Sequence, residues 1–141
     1  MSADYFLDTN VFVYSFDETS PEKRGMSCSL IAAALRHGTG VISWQVVQEF
    51  LNVALHKWEV PMSEGDAQAY LNTTMRPLCA IHPSETLWRS ALSLQAQSQY
   101  RFYDSLIVAA ALHHGVKFLY SEDLQEGRLF GDLEIRNPFC G

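Results

Sequence analysis

Short apolar segments of strand length alternate with helix-length segments along most of the chain. The apolar segments begin at Tyr5, Gly40, Leu78 and Lys117, and Leu133–Ile135 is expected to form a last edge strand. Such alternation is typical of right-handed crossovers in a parallel sheet that carries helices on both faces. The sequence therefore predicts an α/β fold, in which ligands gather beyond the carboxyl ends of the strands.

The segments between the strands contain recognisable helix signals. Pro21 follows Thr19-Ser20 at a plausible first helical position, and Gly115 follows the apolar stretch that ends at His114. Helices are predicted over 11–16, 21–36, 43–58, 61–77, 83–98 and 104–114. No linker, repeat or low-complexity tract interrupts the 141 residues, so we expect a single domain over 1–141.

Charge, cysteine content and hydropathy exclude several classes of protein. Ten Lys and Arg against sixteen Asp and Glu give a formal charge of −6, which disfavours a module that captures nucleic acid with a basic patch. The three cysteines are odd in number and widely spaced, which favours reduced thiols in a cytoplasmic protein. The longest apolar run, Leu106–Leu112, is too short to span a membrane, so we expect no membrane association.

Three acids occur where strands end or a buried helix begins. Asp8 follows the first strand, Asp123 follows the fourth, and Asp104 opens an almost wholly apolar helix. Each could simply cap a helix or form a turn, because Asp is favoured there for backbone reasons. Their shared edge of the sheet nevertheless predicts a cluster of carboxylates. Glu49 is undecided, because it lies opposite the main apolar stripe of its helix but within a second apolar edge.

The order and spacing of these residues resemble the PIN-domain nucleases, and in particular the VapC-type toxin ribonucleases of bacterial type II toxin–antitoxin systems. The resemblance runs from Tyr5 to Phe139, through four segments that look like the acid-bearing motifs of the family. These segments are 6–11 with Asp8, 43–50 with Glu49, 104–111 with Asp104, and 119–124 with Asp123. Ser121 stands where many relatives have Thr, and it keeps the hydroxyl group.

The resemblance implies a three-layer α/β/α sandwich with a central sheet of four to five parallel strands. It also implies an acidic site in which Asp8 and Asp104 are the principal metal ligands and Glu49 and Asp123 complete the pocket. Thr9, Asn10 and Ser121 would orient the carboxylates or waters. Oxygen ligands of this kind suit Mg²⁺, with Mn²⁺ as a substitute, and metal-activated water would cleave RNA phosphodiester bonds.

The same resemblance implies an RNA substrate, a small antitoxin protein as partner, and homodimerisation. The alternatives are a PIN-like binding module without catalysis and a phosphatase with an aspartyl nucleophile, although the latter would need an acid where Asn10 stands. Arg101 and Arg128 flank the third and fourth acids and are either contacts for the RNA backbone or ordinary solvated arginines. The three tryptophans are expected in the core or at interfaces rather than as platforms for bases.

Overall fold

Six strands form one sheet in the computed structural model, which describes residues 3–140. They are β1 (Tyr5–Leu7), β2 (Gly40–Ser43), β3 (Cys79–Ile81), β4 (Phe118–Tyr120), β5 (Leu129–Phe130) and β6 (Leu133–Arg136). Their order across the sheet is β3-β2-β1-β4-β6-β5. All neighbouring pairs are parallel except β5 and β6, which are antiparallel.

The predicted α/β class and the mostly parallel central sheet are confirmed. The prediction that Leu133–Ile135 forms the edge of the sheet is wrong, because β5 pairs with the outer side of β6. β5 has two residues, and Leu129 within it is 63% exposed, so neither its length nor its hydropathy distinguishes it from a loop.

Seven helices connect the strands within residues 3–140. They are α1 (Thr9–Tyr14), α2 (Pro21–His37), α3 (Trp44–His56), α4 (Glu64–Tyr70), α5 (Arg76–Leu78), α6 (Glu85–Ser98) and α7 (Phe102–His114), with a π-helical turn at Leu71–Met75 between α4 and α5. The helix predicted over 61–77 begins at Glu64, because the Ser63 hydroxyl accepts a hydrogen bond from the Asp66 backbone N–H and caps it.

The crossovers place helices on both faces of the sheet. The chain moves from β1 to β2 and β3 in one direction and then returns to β4, so right-handed connections put α1–α5 on one face and α6–α7 on the other. α7 is nearly all apolar and buries the run from Ile107 to Ala111 against the rest of the molecule. On the other face, Phe16, Phe50, Trp58 and Tyr70 pack ring against ring.

The switch in direction lies between β1 and β4, at the centre of the sheet. Asp8 directly follows β1 and Ser121 directly follows β4, and the Asp8 backbone N–H donates to the Tyr120 carbonyl at 3.0 Å. A crevice forms at such a point because the two flanking connections leave in opposite directions. The fold therefore brings residues that are more than a hundred positions apart to one edge.

Two further expectations concern the whole chain. Within the described residues, Cys28, Cys79 and Cys140 form no disulfide bond. Within residues 3–140, no helix combines the length and the hydropathy that a membrane crossing requires.

Candidate active site

Asp8 is the most buried acid of the crevice, with 7% of its surface exposed. One carboxylate oxygen accepts from the Thr9 backbone N–H at 2.7 Å, and the other accepts from the Ser121 hydroxyl at 2.7 Å. Asp8 is also the residue that precedes the first turn of α1. The helix-capping role and the place in the acidic cluster, which the sequence offered as alternatives, are therefore combined in one side chain.

Ser121 and Asn10 connect Asp8 to Asp123. The buried Ser121 hydroxyl oxygen accepts from the Asp123 backbone N–H at 3.2 Å and from the Asn10 side-chain amide at 3.4 Å. The same Asn10 amide donates to the Asp123 carboxylate at 3.2 Å, while its carbonyl oxygen accepts from the Glu122 backbone N–H at 3.4 Å. This network holds the exposed Asp123 side chain beside the carboxyl ends of β1 and β4.

Glu49 lies in the second turn of α3 and faces the crevice. Its carboxylate accepts from the Thr9 hydroxyl at 2.6 Å and from the Gln45 side-chain amide at 3.1 Å. Helical periodicity could not decide the position of Glu49, because the contact that fixes it comes from Thr9, forty residues earlier in the chain. Thr9 thus joins the end of β1 to α3 across the site.

Asp104 lies in the first turn of α7, which begins two residues earlier at Phe102. The prediction that Asp104 opens or caps this helix is therefore wrong, since Arg101 is the residue at the N-cap. A carboxylate in a first turn is favoured by the positive end of the helix dipole. Asp104 is half-buried and its side chain lines the crevice.

The four acids line one open cleft of about 560 Å³. Burial raises the pKa of Asp8 to about 7, against the lowering effect of its bonds to Ser121 and Thr9, and the charges of Glu49 and Asp123 raise it further. Burial also raises the pKa of Asp104, and again the charges of Asp123 and Glu49 add to the effect. Glu49 and Asp123 each act on both aspartates, so the cleft is one coupled electrostatic unit.

The donor set of the cleft fits a hard divalent cation that keeps most of its waters. The possible metal ligands that line it are carboxylate, amide and hydroxyl oxygens, and no histidine or cysteine of the described chain lines it. Within residues 3–140, no three acid, histidine or cysteine side chains are grouped closely enough to hold one ion by themselves. Mg²⁺ is usually held by one or two carboxylates together with water and substrate phosphate, which matches this spacing.

Several lining residues of the cleft were not predicted as parts of the site, among them Glu122, Lys57 and Asn52. Glu122 is a fifth acid there, but its carboxylate accepts from the Tyr14 hydroxyl at 2.5 Å and forms a salt bridge with Lys23 at 2.5 Å. The Lys23 ammonium also donates to Tyr14 at 3.3 Å. Lys57 and Asn52 line the cleft from the end of α3. Nothing in the local sequence marks these residues, because their contacts join distant segments.

The two arginines considered for RNA binding do not line the cleft. The Arg128 guanidinium lies over the rings of Tyr100 and Phe130, 5.0 and 4.8 Å from their centroids, and donates to the Ser98 carbonyl at 3.4 Å. It is a packing residue rather than a solvated one. Arg101 is exposed, and its charge offsets part of the rise in the pKa of Asp104 that burial causes.

A family model describes most of the chain. The model of the PIN domain matches residues 5–126, which include every acid of the cleft. The chain belongs to the PIN domain family. PIN domains are generally nucleases, which agrees with a cleft of carboxylates at the end of a parallel sheet. No curated protein matches the sequence.

Several solved structures share this fold. A toxin–antitoxin complex from Klebsiella pneumoniae matches at 15% identity and a TM-score of 0.66, covering 96% of this chain and 98% of the other. VapBC2 from Rickettsia felis, bound to a DNA fragment from its promoter, matches at 20% identity and 0.65, covering 94% and 97%. FitAcB from Neisseria gonorrhoeae matches at 18% identity and a TM-score of 0.67, covering 96% of this chain and 98% of the other. At these identities the likeness concerns the fold.

Proposed function

We propose that this PIN domain is a divalent-metal-dependent ribonuclease. The observation that supports the proposal most directly is the cleft into which Asp8, Glu49, Asp104 and Asp123 all project. A bound Mg²⁺, or Mn²⁺ in its place, would supply an acidified water as nucleophile and neutralise the charge that develops on the phosphate. No side-chain nucleophile is needed for such a hydrolysis.

The protein's own part in the reaction is to hold oxygen donors in place. Asp8 and Asp104 are assigned as the principal ligands, with Glu49 and Asp123 contributing directly or through water. Ser121 and the Thr9 backbone fix the two oxygens of Asp8, and the Thr9 hydroxyl fixes one oxygen of Glu49. Asn10 fixes Asp123. These hydrogen bonds orient lone pairs toward the cleft before any cation enters.

We further propose that the chain is the toxin of a toxin–antitoxin pair in the cytoplasm, that a small antitoxin protein binds it, and that it forms a homodimer. Support for the antitoxin comes from the solved structure of the same fold from Klebsiella pneumoniae, which is a toxin–antitoxin complex. Exposed apolar side chains on the helices, such as Met26 of α2 and Leu92 of α6, offer surface that protein partners would cover.

Metal-dependent RNA cleavage by the purified chain tests the proposal. Replacing Asp8 or Asp104 by Asn removes one anionic ligand and keeps the side-chain shape, so we expect the cleavage rate to fall by at least about 100-fold. The rate would be measured with Mg²⁺ and Mn²⁺ on total RNA. Asp132→Asn, an exposed acid in the turn between β5 and β6, is the matched control and should cleave like the wild type.

Two results would contradict the proposed nuclease function. Equal cleavage by the wild type and both cleft variants would assign the activity to a contaminant. A wild type that binds divalent metal but cleaves no RNA would instead favour a binding module with the PIN fold.

A further inference from the structure

A second hollow adjoins the acidic cleft on the outer side of α3. Gln45, Gln48, Glu49 and Asn52 line it, and their spacing of three, four and seven residues places them on one face of the helix. Tyr103, from the first turn of α7, lines it from the other side. The Gln45 side-chain amide donates to the Tyr103 carbonyl at 3.0 Å and joins the two helices at this point.

The hollow and the cleft are neighbours on the surface. Glu49 and Asn52 line both of them, so the two spaces share part of their walls along α3. The hollow has a volume of about 270 Å³ and is open to solvent. A nucleic acid whose phosphate lies among the four acids would therefore have its adjacent nucleotide next to Tyr103.

The groups in the hollow match a nucleobase better than a phosphate. Tyr103 is 66% exposed, which leaves its aromatic ring free to stack. Gln48 and Asn52 have no hydrogen-bonding partner for their side chains within the part of the chain that the structure describes, and each amide offers both donors and an acceptor. None of the residues lining the hollow is Lys or Arg, so it lacks the cations that usually hold a phosphate backbone.

We propose that this hollow is a base-binding subsite for single-stranded RNA, in which Tyr103 stacks on the base next to the cleaved bond and Gln48 and Asn52 contact its edge. This inference rests on the proposed ribonuclease function and adds the residues that would hold the base beside the cleaved bond. The faces and edges of a base are most accessible to protein side chains in single-stranded RNA.

RNA binding by Tyr103 variants tests the subsite. Binding of a fluorescein-labelled, mixed-sequence single-stranded RNA would be measured by fluorescence anisotropy in the Asp8→Asn background, which prevents cleavage. Stacking of one base on an aromatic side chain predicts that Tyr103→Ala raises Kd by about 5- to 150-fold. Tyr103→Phe keeps the ring and should stay within about twofold of the Asp8→Asn parent. An unlabelled single strand should compete better than the duplex of the same sequence.

Leu129→Ala is the matched control, because Leu129 is 63% exposed on β5, away from the hollow, and its exposed fraction is similar to that of Tyr103. It should bind RNA like the parent. The subsite is overturned if Tyr103→Ala binds as tightly as the parent, if the parent does not bind RNA at all, or if Tyr103→Ala changes only the oligomeric state seen by size-exclusion chromatography. That last result would make Tyr103 part of a protein interface.

Cleavage by the wild type is a separate measurement that keeps the two proposals distinguishable. If the wild type cleaves RNA and Tyr103→Ala leaves Kd unchanged, the subsite is rejected and the proposed ribonuclease function stands. If the wild type does not cleave RNA but the Kd values follow the predicted series, the ribonuclease function is rejected. The hollow would then remain a binding site for single-stranded RNA.

Discussion

The surroundings of Asp8 oppose the ionisation of its carboxyl group. Its carboxylate is buried, yet it has two hydrogen-bond donors and two neighbouring acids, Glu49 and Asp123. The donors favour the charged form, whereas burial and the neighbours disfavour it more strongly and raise the pKa to about 7. Near neutral pH the metal-free protein therefore either carries a proton on Asp8 or bears the cost of a buried charge.

This cost predicts an unusual dependence of stability on pH. The folded-state pKa of Asp8 exceeds its ordinary value of 3.8, so between about pH 4 and pH 7 the folded state binds more protons than the unfolded state. Stability of the metal-free protein should therefore fall as pH rises through this window, by at most roughly 4 kcal/mol from this residue. The measurement is the free energy of urea unfolding between pH 4 and pH 8 in the presence of a chelator.

The Asn side chain of Asp8→Asn cannot ionise, so this variant should have a flatter profile. Its free energy of unfolding should therefore increase relative to that of the wild type as pH rises. Asp132→Asn changes an exposed acid and should follow the wild-type curve. A profile of the same slope in the wild type and in Asp8→Asn would show that the buried carboxylate is not the source of the pH dependence.

At the scale of elements, the sequence predicted most of the framework because its signals are local. β1 to β4 are apolar segments that end at polar residues, and α7 is apolar throughout, so periodicity and composition are sufficient to locate them. The relation of Asp8 to Asp123 follows from parallel strands that end at one edge. Boundaries were less accurate, as at the start of α7, because capping by Arg101 has no side-chain signal.

The parts that could not be predicted depend on packing between distant elements. Glu49 faces the cleft because the Thr9 hydroxyl reaches it from α1, and the carboxylate of Glu122 is paired with Tyr14 and Lys23 from α1 and α2. Neither contact is visible as a spacing along the chain. The hollow beside Tyr103 likewise exists only because α3 and α7 meet at the edge of the sheet.

The contact of Lys23 with Glu122 gives a prediction at this scale, since it ties α2 to the segment after β4. Lys23→Met leaves a charged Glu122 beside the other acids of the cleft, so we expect a lower midpoint of urea unfolding at pH 8. Loss of the cation leaves the charge unpaired, and the penalty exceeds that of removing both partners. The double variant Lys23→Met/Glu122→Gln should therefore recover part of the loss.

Arg89→Met removes a salt bridge to Glu85 whose partners are 76% and 70% exposed, and it is the matched control. Its unfolding midpoint should move less than that of Lys23→Met, because water screens such a pair. If the double variant is less stable than Lys23→Met alone, Glu122 contributes through some contact other than its charge pair.

At the scale of the whole molecule, the acidic cleft explains most of the net charge. Setting aside Asp8, Glu49, Asp104 and Asp123 leaves twelve acids against ten bases, a net charge of −2 in place of −6. The rest of the chain is nearly neutral. Under the proposed ribonuclease function, cations collected in the cleft, rather than a basic surface, would attract the phosphate of the RNA.

Concentration of charge in one cleft predicts that divalent cations stabilise the folded chain as a whole. A ligand that binds only the folded state at ten times its Kd adds about 1.4 kcal/mol, which raises Tm by roughly 3–6 °C for a domain of this size. The test is thermal unfolding at increasing Mg²⁺ with ionic strength held constant by NaCl, followed by reversal with a chelator. The increase should be largest above pH 7, where Asp8 no longer holds its proton.

The site and the net charge make different predictions for variants in this experiment. Asp104→Asn weakens the cleft specifically and should lose most of the Mg²⁺-dependent increase in Tm. Glu64→Gln removes the same amount of negative charge from the exposed start of α4 and should keep it. If both variants respond to Mg²⁺ like the wild type, the cation acts on the overall charge of the protein, and the four carboxylates do not form a binding site.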